Sequence, residues 1–223
     1  MIYLLHTDAS QEQLHIKGED FKYLIKVRRH KVGDIIAFRN REKIEELFEY
    51  ELVNISPREA LFELKSSQTL LVQAKKTLHI GWCVIDNKSV EKVLASLNEI
   101  GVAKITFIYC ERSQKNFKLD LKRYERIIEA SNQQCGRTEF MEFDSCKNIE
   151  SFIELYPDTK VFDFTQKYLG CESDFKTVLI GCEGGFSPRE KEFLKNQEVF
   201  RLNTPMVLRS ESATVAVASK ILL

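Results

Sequence analysis

A cluster of glycines follows an apolar segment near the C-terminal end of the chain. Residues 178–190 read VLIGCEGGFSPRE, so three of the chain's nine glycines fall within five positions. Glycine lets a backbone turn sharply and lets a ligand lie against exposed peptide groups. Ser187, Pro188 and Glu190 then supply an N-cap, a first-turn proline and a capping-box partner for a helix. The segment predicts a ligand-binding turn between a strand and a helix, and a tight turn without a ligand is the alternative.

Two common nucleotide-binding loops do not fit this segment. The glycine spacing is neither G-x-G-x-x-G nor that of a phosphate-binding P-loop, and Lys191 stands in the wrong place for a P-loop lysine. Sites for a nicotinamide dinucleotide or a nucleoside triphosphate are therefore disfavoured.

A second candidate segment, residues 202–214, reads LNTPMVLRSESAT. Arg209 and Glu211 flank Ser210, which is the predicted N-cap of the last helix. The helix that follows is rich in alanine and valine, so we expect it to be buried or to lie at an interface. A structural salt bridge between Arg209 and Glu211 is the alternative to a functional role.

The elements that must position these segments alternate between strands and helices. We predict strands at 77–85, 105–109, 160–164, 177–180 and 199–202. We predict helices at 88–100, 119–134, 149–155, 188–196 and from 210 to the end. This order is typical of an α/β domain with a mainly parallel sheet and helices on both faces.

The first seventy residues have a different pattern. Short strands are predicted at 2–5, 14–17, 34–38, 47–53 and 60–64. A single helix is predicted at 19–29, because Phe21, Leu24, Ile25 and Arg28 recur at helical spacing. The sequence thus predicts two domains, a small β-barrel over residues 1–70 and an α/β domain over residues 71–223.

The charges are balanced overall but unevenly distributed. The chain has 33 Lys and Arg against 33 Asp and Glu, which gives a formal net charge of zero. Basic residues concentrate at 16–41 and 112–137, and acidic residues at 42–63 and 138–163. Ordinary solvated helix faces are one interpretation. The other is a pair of basic surfaces that contact a polyanion, with Arg28, Arg29, Lys122, Arg126 and Arg137 on one face.

Composition disfavours several classes of protein. No apolar stretch approaches the roughly 20 residues that cross a bilayer, and the first residues lack the basic region of a secretory signal. The six cysteines form no C-x-x-C pair, and no histidine stands at zinc-finger spacing. We therefore expect reduced thiols in a cytoplasmic protein with no metal site and no membrane association.

The segments IGCEGGFSPRE and LRSESA, taken together, resemble the signature loops of the SPOUT methyltransferases. More closely, the chain resembles the RsmE type, the 16S ribosomal RNA (uracil-N3)-methyltransferases. FKYLIKVRRHKVGD (21–34) is similar to that family's N-terminal segment, with Arg29 on the family arginine. EIGV (99–102), ERS (111–113) and ASNQQCGR (130–137) are similar to further family elements.

The resemblance implies a PUA-like N-terminal barrel, a C-terminal trefoil knot in the α/β domain, and a homodimer. It implies S-adenosylmethionine as the methyl donor and a uridine of 16S ribosomal RNA in the small ribosomal subunit as the substrate. The implied cofactor-binding residues are Ile180, Gly181, Glu183, Gly184, Gly185, Leu202, Leu208 and Ser210. The implied catalytic residues are Arg209, Glu211 and Arg29, with Glu211 as the candidate general base. The implied RNA-binding residues are Arg28, Arg29, Arg112, Gln134 and Arg137.

The chain departs from the family pattern at a few positions. Cys182 replaces the usual proline of the glycine loop, Ser210 and Ser212 replace threonines, Arg28 replaces a leucine, and Phe107 replaces a common proline. The serines keep the hydroxyl group, whereas Cys182 removes a backbone constraint.

Other functions remain open at this point. A SPOUT enzyme could act on tRNA or on a ribose 2′-hydroxyl, although an N-terminal barrel favours the N3 type. An RNA-binding ribosome assembly factor without catalysis is a further alternative, which the intact glycines with Arg209 and Glu211 disfavour. A flavodoxin-like module is disfavoured because no phosphate loop follows its first strand.

Overall fold

The computed structural model describes residues 2–113, 118–170 and 175–223. Its internal contacts divide the chain into two units. The first unit consists of Met1–Val72 with Gln133–Thr138, and the second of Gln73–Asn132 with Glu139–Leu223. The sequence did not indicate that 133–138 would belong with the first unit.

The first unit is built on a five-stranded sheet. Its strands are β1 (Leu4–Leu5), β2 (Gln13–Lys17), β3 (Ile35–Asn40), β4 (Lys43–Ile55) and β5 (Glu59–Thr69). They lie in the order β1-β3-β4-β5-β2, with β1 parallel to β3 and the other pairs antiparallel. The long strands β4 and β5 carry register shifts, which bend a sheet and increase its twist. Phe38, Tyr50 and Phe62 pack edge to face in its core.

The segment predicted as a helix at 19–29 is only partly α-helical. One α-helical turn, α1 (Gly18–Phe21), leads into a π-helical segment, Lys22–Val27. The backbone N–H of Arg28 donates to the carbonyl of Tyr23, five residues back, which is the π pattern. Arg29 follows with a left-handed φ of 62° and ends the segment. Apolar spacing predicted a helical segment but could not distinguish α from π winding.

The second unit contains a six-stranded sheet in which every pair is parallel. Its strands are β6 (His79–Cys83), β7 (Lys104–Ile108), β8 (Glu142–Cys146), β9 (Lys160–Phe162), β10 (Thr177–Ile180) and β11 (Val199–Phe200). They lie in the order β11-β9-β10-β6-β7-β8. The helices are α2 (Asn87–Ile100), α3 (Leu121–Cys135), α4 (Ile149–Leu155), α5 (Pro188–Phe193) and α6 (Ser210–Leu222). The predicted α/β class with a mainly parallel sheet is confirmed.

Local sequence explains how these elements begin and end. Asp86 caps α2 through the backbone N–H of Ser89, and Gly101 ends the helix in a left-handed conformation with φ 108°.

Strand β8 was not predicted, because this edge strand alternates poorly between buried and exposed residues. Helix α6 packs against α2 and is buried on several sides, as its apolar composition indicated. Within the residues that the structure covers, no helix is both long and apolar enough to cross a membrane.

Candidate active site

A cavity of about 460 Å³ lies in the second unit, where β9, β10 and β11 end. In a parallel sheet the carboxyl ends of the strands share one edge, so the three loops that follow these strands meet there. The loop after β10 and the loop that leads into α6 contribute most of the lining. A cavity of this size falls within the range of small-molecule and cofactor sites.

The eight predicted cofactor-binding residues all line this cavity. They are Ile180, Gly181, Glu183, Gly184, Gly185, Leu202, Leu208 and Ser210. Arg209 and Arg112 also line it. Two loops that are some two dozen residues apart in sequence are thus brought together around one space.

The glycine loop, residues 181–186, is tightly folded. The backbone N–H of Gly185 donates to the carbonyl of Cys182 at 2.9 Å, and Gly185 has a φ of 64°. A Cβ atom on Gly181 would lie 3.3 Å from the Cα of Gly185, which is closer than ordinary packing. A side chain at either position would therefore strain the turn.

The helix after the glycine loop begins with the predicted capping box. The Ser187 hydroxyl accepts from the backbone N–H of Glu190 at 3.1 Å, and the Glu190 carboxylate accepts from the N–H of Ser187 at 2.7 Å. The second oxygen of Glu190 accepts from the backbone N–H of Glu111 at 2.8 Å. Glu190 is only 3% exposed, so this carboxylate ties the loop after β7 to the end of the glycine loop.

Arg112 contacts the glycine loop directly. Its Nη1 donates to the carbonyl of Gly184 at 2.6 Å, and a Cβ on Gly184 would lie 3.3 Å from the Arg112 Cδ. Sequence analysis made Arg112 an RNA-binding candidate. Its position is against the wall of the cavity, where the side chain holds a carbonyl of the loop.

Ser210 has a different role from the predicted one. Arg209 occupies the N-cap position of α6, and Ser210 is the first helical residue, so the prediction of Ser210 as N-cap was wrong. The Ser210 hydroxyl instead donates to the carbonyl of Gly181 at 2.6 Å and accepts from the Trp82 indole N–H at 2.8 Å. This hydroxyl therefore links the start of α6 to the glycine loop and to strand β6.

Arg209 and Glu211 are neighbours in sequence but differ in burial. Arg209 is exposed and lines the cavity, whereas Glu211 is 5% exposed and does not line it. Among the described residues, no ion pair joins the two side chains. The alternative of a structural salt bridge is therefore not what the structure shows.

The remaining predicted residues belong to the first unit. Arg28, Arg29 and Gln134 are exposed, and the Arg28 guanidinium lies 6.0 Å from the Tyr23 ring. Arg137 is only 5% exposed, so its side chain is not presented to solvent.

Several lining residues were missed by the sequence analysis. Lys191 Nζ lies 2.8 Å from the Asp163 carboxylate, and both residues line the cavity. Arg201 donates to the carbonyl of Thr204 at 2.8 Å and so braces the loop before α6. Asp163 and Arg201 lie near the carboxyl ends of predicted strands, and Lys191 lies in the predicted helix that follows the glycine loop. Among the described residues, no group of three or more His, Cys, Asp or Glu is arranged to hold a metal ion.

The sequence of residues 72–222 matches a known class of domain. The family model described as RNA methyltransferase domain matches residues 72–222. This match covers more than half of the chain and includes every residue that lines the cavity.

Individual relatives identify the family within this class of domain. The chain is 39% identical over 223 residues to ribosomal RNA small subunit methyltransferase E from Helicobacter pylori strain J99, covering 98% of each protein. The chain therefore belongs to the ribosomal RNA small subunit methyltransferase E family.

Solved structures show the same fold. A methyltransferase from Legionella pneumophila, solved in complex with bound cofactor SAM, superimposes with a TM-score of 0.77 at 20% identity, covering 99% of this chain and 96% of that one. Ribosomal RNA small subunit methyltransferase E from Neisseria gonorrhoeae, bound to S-adenosylmethionine, gives a TM-score of 0.74 at 15% identity, covering 98% and 95%.

Proposed function

We propose that this protein transfers the methyl group of S-adenosylmethionine to N3 of a uridine in 16S ribosomal RNA of the small ribosomal subunit. The observation that carries the proposal is the cavity formed by the glycine loop and the loop before α6. It occurs in a chain that is 39% identical over nearly its whole length to a ribosomal RNA small subunit methyltransferase E.

The residues around the cavity suit S-adenosylmethionine. Ile180, Leu202 and Leu208 offer apolar walls, and the glycine loop offers backbone N–H and C=O groups without side chains in the way. An adenine ring needs apolar faces and a few polar groups at its edge, which this combination supplies. The exposed guanidinium of Arg209 can hold the cofactor carboxylate or the target base.

When bound, the cofactor supplies an electrophilic methyl group on a sulfonium. The protein then has to align N3 with that carbon and help to remove the N3 proton. Glu211, the base that the resemblance implies, is buried in the first turn of α6 and does not line the cavity, so we leave the base unassigned. N3 lies on the Watson–Crick edge, so the uridine must be unpaired or flipped out of its stack to reach the site.

The first unit supports RNA binding through its exposed basic residues. Lys26, Arg28 and Arg29 are exposed in the π-helical segment and directly after it. Arginine and lysine in such a group can contact phosphates without reading sequence. We include Arg29 and Gln134 as RNA contacts, and we leave out the buried Arg137. We further propose that this unit has the PUA-like form.

The assembly is proposed to be a homodimer with a trefoil knot in the second unit. Exposed Met206 and Val207 beside the cavity, and Leu223 at the end of α6, support an apolar contact with a second copy. A cytoplasmic location suits a ribosomal substrate and the cysteines Cys83, Cys110, Cys146 and Cys182, none of which forms a disulfide.

Calorimetry tests cofactor binding. We expect saturable binding of S-adenosylmethionine by the purified protein and its loss in Gly184→Val, because the added side chain meets Arg112 at the cavity wall. Gln68→Val, at an exposed position of β5 in the first unit, is the matched control and should bind as the wild type does. Unimpaired binding by Gly184→Val would show that the cofactor site is elsewhere.

Nucleoside analysis tests the substrate. We expect 16S ribosomal RNA from cells that lack the gene to contain no 3-methyluridine, and a plasmid copy to restore it. Persistence of 3-methyluridine would reject this substrate. Loss of a tRNA modification or of a ribose 2′-O-methyl group would instead support the corresponding SPOUT alternative.

A further inference from the structure

Three buried cysteines lie close together at one edge of the parallel sheet, and one of them belongs to the glycine loop. Cys83 ends β6, Cys110 follows β7 by two residues, and Cys182 follows β10 by two residues. Because β7, β6 and β10 are adjacent parallel strands, their carboxyl ends bring these cysteines to the same edge of the sheet. Cys182 is the residue that stands where the family pattern has proline.

Two of the thiols are already close together. The sulfur atoms of Cys110 and Cys182 lie 3.7 Å apart, and the Ser113 hydroxyl lies 3.0 Å from the Cys110 sulfur. Cys182 lines the cavity, whereas Cys110 lies behind it. The two residues are 6% and 3% exposed, so the cavity is the route by which a small solute reaches them.

The polar contacts of Cys110 make it the candidate nucleophile of the cluster. Hydrogen bonds with Cys182, Cys83 and Ser113 lower the pKa of Cys110, whereas burial raises it. Burial and the Cys110 sulfur raise the pKa of Cys83. The thiolate is the form of cysteine that attacks an oxidant, so Cys110 is the nucleophile of the cluster.

A disulfide between Cys110 and Cys182 requires a short movement of the loop. The two sulfur atoms must approach from 3.7 Å to about 2.05 Å, the length of a disulfide bond. Cys182 is flanked by Gly181 on one side and by Gly184 and Gly185 after Glu183. A shift of Cys182 toward β7 would strain this tightly folded loop, and it would disturb the contacts that Ser210 and Arg112 make with it.

We propose that Cys110 and Cys182 form a reversible disulfide when hydrogen peroxide enters the cavity, and that this bond closes the cavity to the cofactor. The second half rests on the proposed binding of S-adenosylmethionine. The Cys110 thiolate attacks one peroxide oxygen, the O–O bond breaks, and the departing hydroxide takes up a proton to leave as water. The Cys182 sulfur then attacks the resulting sulfenic acid, its proton leaves with the hydroxyl group as a second water, and the S–S bond forms. Peroxide is reduced, the two thiols are oxidised, and an external thiol reverses the reaction.

Oxidation and cofactor binding then exclude each other. A bound cofactor would fill the space through which peroxide reaches the Cys110–Cys182 pair, and a disulfide would draw the glycine loop away from the position that lines the cavity. The protein would therefore lose methyltransferase activity under oxidative conditions and regain it on reduction.

Peptide mapping without reduction tests the bond, and calorimetry on the same samples tests its consequence. After treatment with hydrogen peroxide we expect a peptide pair joined between Cys110 and Cys182, and at least tenfold weaker binding of S-adenosylmethionine. Dithiothreitol should remove the linkage and restore binding. The cofactor, added before peroxide, should slow formation of the linkage.

Two variants provide the controls. Cys110→Ala should bind the cofactor in the reduced state and show no peroxide response, whereas Cys146→Ala, which removes a thiol from β8, should respond as the wild type does. Absence of the Cys110–Cys182 linkage, or an equal peroxide response in Cys110→Ala, would overturn the proposal. If the reduced protein does not bind S-adenosylmethionine, the proposed function and the second half of the inference fail, while the peptide map still decides the disulfide.

Discussion

The two ends of the parallel sheet in the second unit are built differently. At the amino end, His79 is buried, its Nε2 lies 2.8 Å from the Thr106 hydroxyl, and its ring lies 4.4 Å from that of Tyr156. At the carboxyl end, polar contacts from Glu190, Ser210 and Arg112 hold loops around a cavity. The polar group at the amino end is packed in the core, whereas those at the carboxyl end hold the loops around the cavity that we propose binds the cofactor. Substitutions at the amino end should therefore change stability alone, whereas those that release a loop at the carboxyl end should also weaken cofactor binding.

The largest effect is expected at Glu190. Glu190→Ala leaves two backbone N–H groups, those of Ser187 and Glu111, without their acceptor. We expect a loss of about 3 kcal/mol in the free energy of unfolding, since each buried unsatisfied group costs about 1–3 kcal/mol. Cofactor affinity should fall with it, because the glycine loop loses its anchor. Urea unfolding and calorimetry measure the two effects, and Glu192→Ala on the exposed side of α5 should change neither.

At the amino end, the buried His79 should make the free energy of unfolding depend on pH. Burial lowers the pKa of His79 from 6.5 to about 4, so the unfolded chain takes up the proton first as the pH falls. His79 therefore leaves the free energy of unfolding unchanged above pH 6.5 and lowers it progressively as the pH falls from 6.5 to 4. Between pH 7.5 and 5 we expect the wild type to lose about 2 kcal/mol more than His79→Gln, which does not titrate. Equal pH slopes in urea unfolding would contradict this, and cofactor affinity at pH 7.5 should not differ between the two proteins.

A smaller effect is expected at Ser210. Ser210→Ala leaves both the Trp82 indole N–H and the Gly181 carbonyl without their partner. We expect a loss of about 1–2 kcal/mol in the free energy of unfolding and weaker cofactor binding. Ser212→Ala, at an exposed position of the same helix, is the matched control. A Ser210 variant as stable as this control would mean that the hydroxyl does not link these elements in solution.

The smallest effect on stability is expected at Arg112. Its side chain is exposed, so Arg112→Ala should change the free energy of unfolding by less than about 0.5 kcal/mol. Because it releases the Gly184 carbonyl, we expect cofactor affinity to fall by about fivefold, which corresponds to roughly 1 kcal/mol. Calorimetry measures this change in cofactor affinity, with Lys122→Ala as the control. If Arg112→Ala binds the cofactor normally but binds RNA poorly, Arg112 acts as an RNA contact, as the sequence predicted.

Sequence reasoning worked where the signal was local. An apolar strand, closely spaced glycines and a serine–proline–glutamate cap are contiguous, so the glycine loop and the start of α5 were predicted correctly. The same holds for the alternation of strands and helices, apart from the polar edge strand β8. The winding of residues 22–27 was missed, because apolar spacing alone does not distinguish α from π geometry.

The contacts that hold the cavity were not visible in the sequence. Ser210 reaches Trp82 across 128 residues, and Glu190 reaches Glu111 across 79. Nothing in the neighbourhood of Ser210 indicates an indole partner, and a serine before an apolar helix is an ordinary cap. Only the register of parallel strands, which places their ends at one edge, brings these pairs together.

The first unit is discontinuous along the chain, and this bears on its synthesis. The backbone N–H groups of Ile2 and Tyr3 donate to the carbonyl of Gln133, and the Tyr3 hydroxyl donates to that of Arg137. Ile2 and Tyr3 can therefore acquire these partners only after Arg137 has left the ribosome. A fragment that stops at residue 72 would lack them, so the unit is best expressed for RNA-binding work as part of the full-length chain.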